Sequence, residues 1–145
     1  MNFINNQQKH NKKNLGDNGS ISTGTMEQEK INQLQIEVNT WKRLLNFFKD
    51  ENVYLKNRLS DILKNGFHRK FLEEFENFQT KFIKQDEVIS LLRNDTAELD
   101  NLLNAGAGDN SIDKKLAHLR NNMANYERQF FQLQLNFNTY LSENM

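Results

Sequence analysis

Groups able to do acid–base or metal chemistry are few in this chain, and their spacing does not bring them together. The histidines are His10, His68 and His118. None has Glu three residues before it, or His or Glu four residues after it, so the carboxylate-bridged di-iron and HExxH zinc patterns are missing. There is no cysteine, which removes disulfides, thiolate ligands and thiol nucleophiles. The adjacent acids Glu73 and Glu74 lie beside Phe and Lys, the pattern of a solvated helix face and not of a convergent acid pair. Gly106-Ala107-Gly108 lacks the Lys-Ser/Thr of a phosphate-binding loop and follows no strand, so it reads as a turn. With no nucleophile next to a base, the chain is expected to be non-enzymatic, without metal or cofactor.

One charged cluster stands out. Lys64, His68, Arg69 and Lys70 surround an expected helix start, where basic residues oppose the helix dipole. A bound small anion or phosphate group would account for them, and a ligand-responsive regulatory module is the alternative reading of function. Glu143 and a C-terminal carboxylate, expected at the same end, would neutralise the cluster without a ligand. Elsewhere, 19 basic and 19 acidic residues cancel to a formal charge of zero, so no global field recruits a polyanion and nucleic acid is disfavoured as a partner. Residues 1–24 are polar and read as a disordered tail. Lys9, His10, Lys12 and Lys13 within it form at most a short basic arm.

The elements that would position any site are long helices. Ile31, Leu34, Val38, Trp41, Leu45, Phe48, Asn52, Leu55, Leu59 and Ile62 recur at alternating spacings of three and four, a sustained heptad. The chain has no Pro, the commonest interior helix breaker. A capping box at Thr25 to Gln28 starts helix 1 at about residue 26, and Asn65-Gly66 ends it after residue 64. Phe71, Phe75, Phe78, Phe82, Gln85, Ile89, Leu92, Thr96, Leu99 and Leu103 form a second seam, predicting helix 2 over about 68–104. Asn110 or Ser111 caps helix 3 over about 111–143, whose seam runs through Ile112, Leu116, Leu119, Met123, Tyr126, Phe130, Leu133, Phe137 and Tyr140.

Three such helices joined by short connections predict an all-α, antiparallel up-down-up three-helix bundle with coiled-coil-like heptad packing over residues 25–145. Folding the chain at Gly66 and Gly108 puts Phe48, Phe82 and Phe130 at one height. Asn52 and Gln85 then fall within about one turn of that layer, able to hydrogen-bond across the core and fix its register. The glycine-rich second connection would permit helix exchange between two chains.

Apolar residues outside the seams carry the functional expectation. Leu44, Phe47 and Tyr54 lie beside the stripe of helix 1, and Phe131 and Leu135 fall four apart on a face of helix 3 turned away from its seam. A minimal three-helix core does not need them, so they form a candidate surface for a helix of a second chain. The reading is a structural or adaptor protein–protein interaction module, partnering itself as a homodimer or another helical protein. No run approaches the roughly 20 apolar residues that cross a bilayer, and MNFINNQQKHNKKN is not a signal sequence, so no membrane is expected and the compartment is read as cytoplasmic.

Overall fold

A computed structural model describes residues 22–106 and 109–145, with side chains from Glu27 onward except that of Asp109. Three long helices make up almost all of it: α1 (Ser22–Asn65), α2 (Leu72–Asn104) and α3 (Asp109–Asn144), with a 3-10 turn at Arg69–Phe71 leading into α2. Among the described residues there is no strand. The expected tail falls largely outside the described residues, as do Lys9, His10, Lys12, Lys13 and Gly108.

Two helix starts differ from expectation. The backbone is helical from Ser22, three residues ahead of Thr25, so a capping box at Thr25 does not open α1. Likewise α3 already runs from Asp109, placing Asn110 and Ser111 inside its first turn instead of at its cap. The ends of α1 and α2 fall within a residue of expectation, because Gly66 and Gly106 supply the left-handed backbone that ends a helix, with φ of 91° and 68°.

The chain forms two units, Met1–Ile36 and Glu37–Met145. In the first, the described residues are the opening turns of α1, with an exposed Gln28–Asn32 side-chain bond one turn apart. The second is a three-helix bundle whose topology follows from its pairings. Lys56 and Asn52 meet Asp86, Asn46 meets Arg93, and Lys42 meets Asp100, so α1 and α2 run antiparallel. Phe75 meets Tyr140, Phe78 meets Phe137, and Glu98 meets Lys115, so α2 and α3 are antiparallel too. Glu37 meets Arg120, Glu51 meets Gln134, and Arg58 meets Asn138, which makes α1 and α3 parallel.

The heptad stripes form the core. Val38, Leu45, Phe48, Leu55 and Leu59 of α1, Phe75, Phe82 and Leu99 of α2, and Phe130 and Phe137 of α3 are all but sealed from water. Each such side chain contributes about 1.5–3 kcal/mol by burial. Phe48 lies 4.9 Å from Phe130, ring centre to ring centre. Phe82 does not complete that layer as expected; it packs against Phe137 at 5.1 Å, edge to face, two turns further along α3. Residues 67–71 explain the shift. Phe67 and His68 are not helical and Arg69–Phe71 form a 3-10 turn, so the chain reverses around His68 and not at Gly66. The α2 register slides by about one turn.

Candidate functional site

The residues expected to form a partner surface come together on the flank where α1 and α3 run in parallel. Phe47 and Phe131 are 45% and 43% exposed. Both rings rest on the same buried ring, 5.8 Å from Phe48 on either side. Tyr54 and Leu135, each 59% exposed, lie two turns beyond Phe47 and one turn beyond Phe131. Leu44 is half-buried one turn before Phe47. Between the apolar residues, Gln134 donates to Glu51 Oε2 at 3.1 Å, and Arg58 donates to Asn138 Oδ1 at 3.0 Å. The flank is thus two rows of apolar residues with polar bridges between them. It is built by the i, i+3, i+4 and i+7 positions of two helices that continue the core stripe around their surfaces.

The basic cluster is arranged differently. Lys64, His68, Arg69 and Lys70 are all exposed, and among the described residues none of them pairs with a carboxylate, Glu143 and the C-terminus included. His68 serves the backbone. Its Nδ1 accepts the Lys70 backbone N–H at 3.2 Å, and its carbonyl accepts from Phe71 at 3.0 Å, which together close the 3-10 turn. Lys70 Nζ stands over the Phe71 ring at 5.1 Å.

The expected Asn52–Gln85 hydrogen bond is not made. Asn52 is completely buried, and its Nδ2 donates to the Phe82 carbonyl at 2.9 Å and to Asp86 Oδ1 at 2.7 Å. Asp86 Oδ2 in turn accepts from Lys56. Neither Asn52 Oδ1 nor Gln85 Oε1 accepts a bond, although both are shut from solvent. Phe82 and Asp86 lie one turn apart on α2 and bracket Gln85, so Asn52 stands at the height of all three and its partners are set by which groups face it round the helix. The hydroxyl of Tyr126 is also buried without a partner, and burial together with the negative charge of Asp86 pushes its ionisation well above the usual phenol range. Heptad spacing marked Gln85 and gave no signal for Asp86, which lies one residue beyond the seam.

Among the described residues no three His, Asp or Glu side chains gather as a metal site, and no helix is long and apolar enough to cross a membrane. What the geometry defines is an all-α three-helix bundle with one apolar outer flank. Compared with known protein families, with curated proteins and with solved structures, the chain matches none.

Proposed function

We propose that this protein is a non-enzymatic interaction module, structural or adaptor in role, that works in the cytoplasm by pairing its α1/α3 flank with the same flank of a second copy. The observation that supports this reading is the exposure of Phe47 and Phe131 on either side of Phe48. Two large aromatic rings stay nearly half in water beside a core that is otherwise sealed, and leaving them there forgoes burial energy that a partner helix would supply. Parallel helices make a shallow trough, and two such flanks related by a two-fold axis can meet in a coiled-coil-like, self-complementary contact. Tyr54 and Leu135 would lengthen the buried surface, and the Glu51–Gln134 and Arg58–Asn138 bonds between the two rows would be covered with it. Another helical protein with a matching apolar stripe is the partner if the chain does not pair with itself.

The test is absolute mass by light scattering on the full chain and on Phe131→Glu. A dimer is expected for the parent. The variant should dissociate at roughly 30-fold higher concentration, as expected when a buried aromatic contact worth about 2 kcal/mol is lost, with circular dichroism unchanged. A parent that is monomeric at all concentrations sinks the self-pairing reading.

A further inference from the structure

The α2/α3 side of the bundle carries a different surface. A groove of about 470 Å³ runs between these helices, lined by Lys81, Gln85, Arg128, Gln129, Gln132 and Asn136 over a floor formed by Leu133. The lining holds two cations and no acid, in a chain whose overall charge is zero. Across helices, Arg58 and Arg93 donate to the neutral amides of Asn138 and Asn46, whereas four cations meet carboxylates: Lys42 with Asp100, Lys56 with Asp86, Lys115 with Glu98 and Arg120 with Glu37. Lys81 and Arg128 have no such partner among the described residues. Lys81 lies over the Phe78 ring at 5.9 Å, and one Arg128 nitrogen donates to the neutral Asn125 amide.

The amides bring both donors and acceptors. Asn136 Oδ1 accepts from Gln132 Nε2 at 2.8 Å, which leaves the Asn136 NH₂ uncommitted and leaves Gln132 its Oε1 acceptor. Gln85 keeps its Oε1 buried, away from the groove. The ammonium and guanidinium groups, with no lining acid beside them and the Asn136 NH₂ as a further donor, are complementary to a group with several anionic oxygens. The groove is open to solvent along its length, and its volume is several times that of one such group.

We propose that the α2/α3 groove binds a small organic anion, a phosphate ester or a polycarboxylate, with Arg128 and Lys81 holding its oxygens, Asn136 donating a further bond and Leu133 contacting its carbon body. This site is distinct from the flank assigned to self-pairing, since its lining comes from α2 and α3 while Phe131 rests on Phe48 of α1, with Arg128 and Gln132 adjoining Phe131 and Leu135 along the surface of α3. It is separate as well from the exposed cations around His68.

The experiment is a titration of the isotopically labelled full chain with glucose 6-phosphate and, separately, with citrate, read by amide NMR at constant ionic strength, with glucose as the uncharged control. Saturable shifts are expected for residues 81–85 and 128–136, including the side-chain amides of Gln129, Gln132 and Asn136, and none with glucose. The compound that saturates at lower concentration identifies the phosphate or the carboxylate class. Arg128→Gln and Lys81→Gln alter exposed side chains and should each weaken binding about tenfold, the effect of losing one charge-assisted hydrogen bond, whereas Lys64→Gln with Arg69→Gln should leave it unchanged. The proposal is overturned by the absence of saturable shifts with either anion, by binding that survives Arg128→Gln, or by shifts confined to residues 64–70.

Discussion

Asn52 gives its nitrogen two acceptors on α2 and leaves its own oxygen without a donor, so its worth lies in direction. Only an N–H donor fits between the Phe82 carbonyl and Asp86. Asn52→Asp would set a second carboxylate against both of these oxygens at a site sealed from water. It should cost about 3 kcal/mol or more in urea denaturation at pH 7. The introduced acid would have its ionisation raised in the folded state, so the penalty is present above the unfolded value and fades below about pH 4, when the carboxyl is protonated in both states. Tyr126 makes the opposite case. Its buried hydroxyl has no partner, and Tyr126→Phe should stabilise the fold by about 1 kcal/mol by removing a polar atom that water would otherwise solvate. In the parent the folded state keeps the phenol proton at a pH where the unfolded chain releases it, because burial and Asp86 raise its ionisation. Stability from this group is therefore complete below about pH 10 and is lost as pH rises further. Denaturation between pH 8 and 11 should show that decline in the parent, and Tyr126→Phe should lack its contribution. The presence of a buried polar residue at position 52 was legible in the heptad; its partner was not, because Gln85 and Asp86 differ by about 100° round α2 and spacing alone does not fix which of them faces Asn52.

At the scale of elements, the helices follow from their stripes and their ends follow from two glycines. Gly66 and Gly106 have positive φ, and a Cβ at either would meet no atom within 4 Å. Gly66→Ala should therefore cost about 1 kcal/mol from backbone strain alone, without a packing penalty. A larger loss on thermal or urea denaturation would mean that the turn takes part in packing that its open surroundings do not suggest. The N-terminal ends of α1 and α3 were less legible, as Thr25 and Asn110–Ser111 are good caps locally yet lie within helix. A cap preference of about 1 kcal/mol does not end a helix whose next turn can still form its own hydrogen bonds. The 3-10 turn was not foreseen, since Arg69, Lys70 and Phe71 carry no pattern that separates it from the first turn of α2. His68 makes the difference by accepting the Lys70 amide, a bond that exists only in the extended conformation of His68, with ψ of 133°.

Across the whole molecule, the distribution of aromatic rings divides the surface into two sides with different chemistry. On the α1/α3 flank, Phe47 and Phe131 lean on one buried ring and face outward. If they belong to one contact, Phe47→Glu and Phe131→Glu should each weaken self-association, and the double variant should show less than the sum of the two losses, because either charge alone already removes the apolar strip from the interface. Sedimentation equilibrium on the three variants checks this, with strictly additive losses counting against a shared contact. Anion binding in the α2/α3 groove should be untouched by Phe47→Glu, whereas Phe131→Glu sets a carboxylate one turn from Arg128 and should weaken it. By itself the sequence determined the helical class, the three stripes, the glycine-ended turns and the spare apolar residues, because each of these depends on spacing along one helix and on the conformational freedom of single residues. Only the tertiary structure decided which faces meet. It set the one-turn slide of α2 that pairs Phe82 with Phe137, the choice of Asp86 as the partner of Asn52, and the placing of Lys81 and Arg128 on one groove. Those relations depend on how many residues the chain uses to reverse direction, and the reversal at His68 depends on backbone geometry that heptad spacing does not encode.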